Sequence, residues 1–282
     1  MIAHRFPDGR AKRDSLYASL SDTQRRAGDT LFRQQGDSCR PAADPAITLG
    51  SESALETGLR LGDDGADFWE EAMAKGILIA AMDFSAAPED EFHDWYDLEH
   101  IPERLRVPGF LNADRWIGTE NPRISVATYD LDNVDVLHSP PYLAVGGENG
   151  SPWTKRTAKF RKSILRYEGE QLFPGDRTAP SQAAALMLIG MNVAPEHDHE
   201  FNEWYNTEHI PALGSVPGTL CARRYRGMGG TQRYVALYHL TTPDVVRSAE
   251  WKKAADTPWT QKMRPHFRDH LRIECRRYTR TQ

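Results

Sequence analysis

The chain is poor in cysteine and has no long apolar run and no basic tract. Of its 282 residues only Cys39, Cys221 and Cys275 are cysteine. They are far apart and odd in number, so neither a disulfide framework nor a cysteine zinc site is expected, and a reduced, cytoplasmic setting is. No stretch approaches the roughly 20 apolar residues of a membrane span. The first ten residues are polar and lack the apolar centre of a signal peptide. Net charge is −5, and without a basic cluster nucleic acid is not an expected partner. A Gly-rich phosphate loop, a nucleophile elbow and a Cys-His pair are also lacking. That removes nucleotide cofactors and acyl-enzyme chemistry as leading ideas.

What the chain does have is one stretch written twice. Phe92-His93-Asp94-Trp95-Tyr96-Asp97-Leu98-Glu99-His100-Ile101-Pro102, followed by Val107-Pro108-Gly109, returns as Phe201-Asn202-Glu203-Trp204-Tyr205-Asn206-Thr207-Glu208-His209-Ile210-Pro211, followed by Val216-Pro217-Gly218. The offset is a constant 109 residues, from 92 to 201 and from 109 to 218. An internal repeat sets the architecture before any other signal is read.

In the first copy, the apolar run 76–84 predicts a well-covered strand. Pro88 and the acids after it predict a helix start. That helix passes through Phe92 and His100, and Pro102, which cannot donate a backbone hydrogen bond, is expected to kink or restart it near Ile101. A hairpin over 110–117 and 123–131, a weaker helix over 133–145 and a strand over 160–167 complete the unit. The second copy repeats the order, with strands at 183–193, 219–226, 233–240 and 270–278 and a helix reaching Ala255. Pro152-Trp153-Thr154 matches Pro258-Trp259-Thr260 at an offset of 106, because the first copy has the longer loop. Residues 169–182 read as a linker.

The fold class is therefore α+β: two tandem ferredoxin-like βαββαβ units packed sheet to sheet as an intramolecular α+β barrel, helices outside. The expected domains are 73–170 and 183–282. Residues 1–72 form an extension that is partly helical, over 15–32 and 51–73, or disordered. The abrupt change of composition before Gly76 also suggests Met73 as a natural start.

At the Trp-Tyr-Asx-x-Glu-His-Ile-Pro and Val-Pro-Gly motifs the chain resembles the EthD-like proteins of the dimeric α+β-barrel superfamily, over about 75–279. In that family the barrel usually forms from two subunits, so the tandem copies look like a fused pair. The resemblance implies the fold more sharply than the activity, since relatives include lactone isomerases, polyketide cyclases, small monooxygenases and haem-handling enzymes. It implies that His100 and His209 line pockets.

An imidazole can take and return a proton near neutrality, which makes His100 and His209 the first catalytic candidates. Tyr96 and Tyr205 precede them by four residues on the same helix face and could donate to a substrate oxygen. The bland reading of each His is an anchor that fixes the helix end to a backbone carbonyl. Paired substrate-binding candidates are Asp83 and Asn192 at strand ends, Arg115 and Arg224, and Tyr129 and Tyr238. For Asp83 and Asn192 helix capping is the favoured alternative. Asp97 and Asn206 are matched but differ in charge, and read best as a solvated helix face. Glu99 and Glu208 are expected to bond elsewhere than to the adjacent His. His197, Asp198 and His199 look metal-like, but positions 87–90 of the first copy hold no His. His266 and His270 lack the Glu of a zincin. No metal and no cofactor are expected.

The leading expectation is a cofactor-independent enzyme doing acid-base chemistry, of isomerase, cyclase or lyase type, on a small apolar or aromatic compound inside the barrel. A non-catalytic ligand-binding or assembly module is one alternative, and a cofactor-free monooxygenase is another. The expected partner is a small molecule, with a homodimer of fused pairs left open and no membrane contact.

Overall fold

The computed structural model describes residues 74–280. The helices expected over 15–32 and 51–73, and the start at Met73, lie outside the described residues. In chain order the elements are β1 (Gly76–Asp83), α1 (residues 89–105), β2 (Asp114–Gly118), β3 (Ile124–Leu131), α2 (Pro140–Val145), α3 (Pro152–Ala158) and β4 (Lys162–Phe173). The second half repeats them as β5 (Ala185–Val193), α4 (residues 198–214), β6 (Thr219–Gly227), β7 (Tyr234–Leu240), α5 (Ala249–Ala255), α6 (Pro258–Met263) and β8 (Phe267–Arg277).

The eight strands close into one antiparallel barrel, in the order β1-β3-β2-β8-β5-β7-β6-β4. The halves meet at two hydrogen-bonded seams: β2 with β8, where Trp116 faces Arg277, and β4 with β6, where Gly169 faces Gly227. Edge-to-edge joining goes beyond the sheet-to-sheet packing expected from layer logic, and it leaves the barrel without an unpaired edge. At the second seam the Tyr167 ring lies over the facing glycines. A Cβ on Gly169 would come within 2.6 Å of that ring, and one on Gly227 within 2.9 Å.

β1 and β5 read as unbroken apolar runs because both of their faces are covered. Ile77, Ile79 and Ala81 point into the barrel with Leu186 and Leu188 of β5, while Leu78 and Met82 point out beneath the helices. Three cores result: an interior shared by both halves, and one sheet-helix layer per half. The interior is filled by Trp116, Tyr167, Tyr225 and their neighbours. An eight-stranded barrel is just wide enough for its own side chains. The expectation of a ligand chamber inside the barrel is therefore corrected, and the space for a ligand lies elsewhere.

One end of the interior carries a buried ion pair between the halves. Arg223 Nη1 of β6 donates to Asp130 Oδ1 of β3 at 2.6 Å, with side-chain exposures of 0% and 2%. The same groups tie down the linker: Ala179 N donates to Asp130 Oδ2 at 2.6 Å, and Arg223 Nη1 to the Arg177 carbonyl at 3.0 Å. The linker is shorter than expected, because β4 continues to Phe173 to make its seam. The helix expected over 133–145 breaks at Ser139, whose hydroxyl caps α2 before Pro140 and Pro141. α3 and α6 were not anticipated. Each begins with a hydroxyl N-cap followed by Pro, Ser151-Pro152 and Thr257-Pro258.

Candidate functional site

The repeated motif builds the same local structure twice. α1 and α4 each contain a π-helical segment, Trp95–His100 and Tyr205–His209, just before the proline. Ile101 N–H donates to the Tyr96 carbonyl and Ile210 N–H to the Tyr205 carbonyl, five residues back. Near Ile101, where a kink or restart was expected, the helix changes from the π-turn to α-helical residues, Ile101–Leu105 and Ile210–Gly214, and the wider turn leaves room for the proline ring. The wider turn also sets each His over the Trp five residues earlier. Ring centroids are 4.5 Å apart for Trp95 and His100 and 4.4 Å for Trp204 and His209. Each His also meets the edge of the Tyr four residues earlier, at 5.3 and 5.0 Å. Val-Pro-Gly then ends each helix. Gly109 and Gly218 both have φ of +92°, and a Cβ there would strike Val136 or Val245.

Neither imidazole anchors the corner. Nδ1 of His100 and Nδ1 of His209 are buried without a hydrogen-bond partner, as are the hydroxyls of Tyr96, Tyr129 and Tyr238. The adjacent acids bond elsewhere: Glu99 accepts from Ser151 and Thr154, and Glu208 from Thr257, so each locks α1 or α4 to the next helix cap. Burial holds the His209 pKa down at about 3 and that of His100 well below its ordinary value. Burial likewise raises Tyr205 and Tyr238, which keeps both phenols protonated.

In the second half these groups border a cavity of about 460 Å³ between the barrel wall and the helices. Its walls include Met187, Trp204, Tyr205, His209, Tyr238, Trp251 and Phe267, and Arg264 and Arg272 stand at it paired with Asp256 and Glu274. The first half substitutes charge into the equivalent shell. Arg104 stands where the second half has Leu213, and Arg161 where it has Phe267.

Arg115 and Arg224 sit behind the tyrosines. Arg115 Nη1 donates to Asp97 Oδ1 at 2.6 Å and its Nη2 to His93 Nδ1 at 2.9 Å. Arg224 donates to Asn206 Oδ1 and Asn202 Oδ1, each at 2.8 Å, and lies 4.6 Å from the ring centroids of Tyr205 and Tyr234. Asp97 and Asn206 are thus clamps between helix and strand, not the solvated face expected of them. Arg224 is fully buried and has no carboxylate partner among the described residues. Burial lowers its pKa to about 10, which still leaves it a cation at neutral pH.

No family profile and no curated protein matches the sequence. Solved structures do match the shape. A candidate monooxygenase from Fusobacterium nucleatum superposes with a TM-score of 0.53 at 9% identity, over 73% of this chain and 94% of its own. An anthrone oxidase-like protein gives 0.50 at 11% identity, over 72% and 92%. A candidate chlorite dismutase gives 0.50 at 14%, over 73% and 96%. The chain has the fold of the dimeric α+β barrels. At such identities the likeness extends to the fold alone, and here a single chain supplies all eight strands of the barrel.

The remaining candidates divide by location. Tyr129 and Tyr238 join Tyr96 and Tyr205 under the helices, each pair close enough to perturb its partner's ionisation. Asp83 and Asn192 are committed away from that space. Asp83 Oδ1 accepts from Ser85 N at 2.8 Å and from Ser85 Oγ. Asn192 bridges the Thr231 carbonyl, Asp269 and Arg233 N beside the β6-β7 turn. His197 and His266 stack with centroids 3.6 Å apart, away from the motif histidines. Among the described residues no three His, Cys, Asp or Glu side chains gather as metal ligands would, and no helix is long and apolar enough to cross a membrane. Arg161 and Phe267 were missed as site residues. The shift from offset 109 to 106 was the signal that would have aligned them.

Proposed function

We propose that the cavity of the second half binds a small apolar or aromatic molecule and that His209 moves a proton on it without a cofactor. The reaction belongs to the isomerase, cyclase or lyase type. The observation that carries this reading is His209 itself, which borders the cavity with a buried Nδ1 bonded to nothing. Burial keeps the ring neutral at neutral pH, and the same burial makes it a weak base until a substrate anion forms beside it. Once it takes a proton from substrate, the imidazolium and the new anion compensate each other in a site that compensates neither alone. Arg224, an unpaired cation behind Tyr205, favours that anion, and the protonated phenols of Tyr205 and Tyr238 are donors for its oxygen.

We also read the halves as tandem ferredoxin-like, EthD-like units over 73–170 and 183–282, with 1–72 an extension. The order β4-β1-β3-β2, repeated as β8-β5-β7-β6, supports this. A second functional reading, cofactor-free oxidation of an aromatic, is supported by the monooxygenase and anthrone oxidase-like neighbours. It uses the same deprotonation, followed by electron transfer to dioxygen. Pure ligand binding is the reading left if no turnover occurs.

The test is native mass spectrometry of the full chain against small aromatic ketones, quinones and lactones, then product analysis with an oxygen electrode for every binder. His209→Ala is expected to lower turnover by about 10²–10⁴-fold, the usual worth of a positioned acid-base group. Unchanged turnover in the His100→Ala, His209→Ala double variant sinks the acid-base reading. Oxygen uptake matching product selects oxidation.

A further inference from the structure

The first half contains a cation whose counterion is missing. Arg161, at the turn from α3 into β4, is partly buried, and its guanidinium carbon lies 4.5 Å from the Trp95 ring centroid. No described residue gives it a salt bridge or a hydrogen bond. The other arginines of this shell are already neutralised: Arg104 lies 3.4 Å from Glu103, and Arg166 lies 2.6 Å from Glu168 and donates to Tyr142 Oη at 3.0 Å. Around Arg161 stand His100 Nδ1, buried with no partner, and the buried hydroxyls of Tyr96 and Tyr129, which have only each other. Arg161 acts electrostatically on all three of these side chains. A guanidinium partly withdrawn from water without a partner costs some free energy that a bound anion would return.

We propose that this cluster is a binding site for a small organic monoanion, a carboxylate with an apolar or aromatic body. Arg161 holds the carboxylate through its planar fork. Tyr96 and Tyr129, both kept protonated by burial, are donors to the same oxygens. One free positive charge fits one negative charge, because Arg104 and Arg166 are already balanced. The second half cannot bind this way: it has Leu213 and Phe267 at the places of Arg104 and Arg161, and its cavity cations are paired. The two halves thus hold sites of opposite preference, one for a neutral molecule and one for an acid. This proposal does not rest on the role given to His209.

Calorimetric titration of the full chain with benzoate, phenylacetate and hexanoate, and with benzamide as the uncharged counterpart of benzoate, tests it. At least one carboxylate is expected to bind at one per chain, with benzamide weaker by tenfold or more. Arg161→Gln is expected to weaken the carboxylate at least tenfold, and His209→Ala to leave it unchanged. Arg161→Phe, which copies the second half, is expected to melt higher than the parent without ligand and to lose the ligand-induced rise in Tm. Failure of all three carboxylates to bind overturns the proposal, as does equal affinity for benzamide or undiminished binding by Arg161→Gln. A lower melting temperature of Arg161→Phe in the absence of ligand counts against an uncompensated cation and overturns it too.

Discussion

The two halves share a scaffold and differ in charge. Both use a π-turn to stack His on Trp, an acid to lock the helix to the next cap, and a left-handed glycine to end the turn. Behind this identical frame, Arg115 has Asp97 where Arg224 has only amides. In front of it, Arg104 and Arg161 face Leu213 and Phe267 across the pseudo-repeat. The motif residues therefore shape the same corner in both halves, and the charge around it differs chiefly through residues outside the motif, Arg104 and Arg161 against Leu213 and Phe267. A motif match predicts the pocket's geometry and says little about its occupant.

The ion pairs between the halves offer the sharpest way to break the comparison. Asp130→Ala strands the fully buried Arg223, and removing one member of a buried pair costs about 3–5 kcal/mol. Asp114→Ala opens the other inter-half pair, to Arg277, whose side chains are 14% and 25% exposed, and is expected to cost about 1 kcal/mol. Urea denaturation of both variants measures the gap. Equal losses would mean that the interior pair and the seam pair contribute alike.

Acid sharpens the comparison next. His209 has its folded pKa near 3, below the ordinary 6.5, so the unfolded chain binds the proton first. Its share of stability is complete above about pH 6.5 and declines as pH falls from there towards 3. By pH 5 the loss is about 2 kcal/mol for such a group. His209→Phe should flatten the fall between pH 7 and pH 5 by about that amount, whatever it does to stability at pH 7. An unchanged slope would mean that His209 is not held neutral.

The smallest expected effect comes from exchanging the clamps. Asn206→Asp gives Arg224 the carboxylate that Arg115 already has, and is expected to stabilise the chain by about 1 kcal/mol and to raise the His209 pKa. NMR titration of the His209 ring reads the second change. A pKa that stays put would remove Arg224 from the account of the cavity's field.

Much of the frame was legible in the sequence. The unbroken run of β1 announced a strand covered on both sides, and the fixed offset paired Arg115 with Arg224 and Tyr129 with Tyr238 before any coordinate. The π-turn was not legible, because a proline reads as a stop unless a wider turn is known to precede it. The site's place was also misread: packing the interior with Trp116, Tyr167 and Tyr225 left no chamber there, and the cavity formed under α4, α5 and α6 instead. Asp97 and Asn206 looked solvated because their arginine partners lie on strands remote in sequence.

One chain closing the whole ring has a further result. In a barrel assembled from identical subunits, rotational symmetry copies every substitution into both sites. A covalently joined pair is free of that constraint, so Arg161 can enter one site while Phe267 fills the other. The two halves can then diverge in charge within a single molecule.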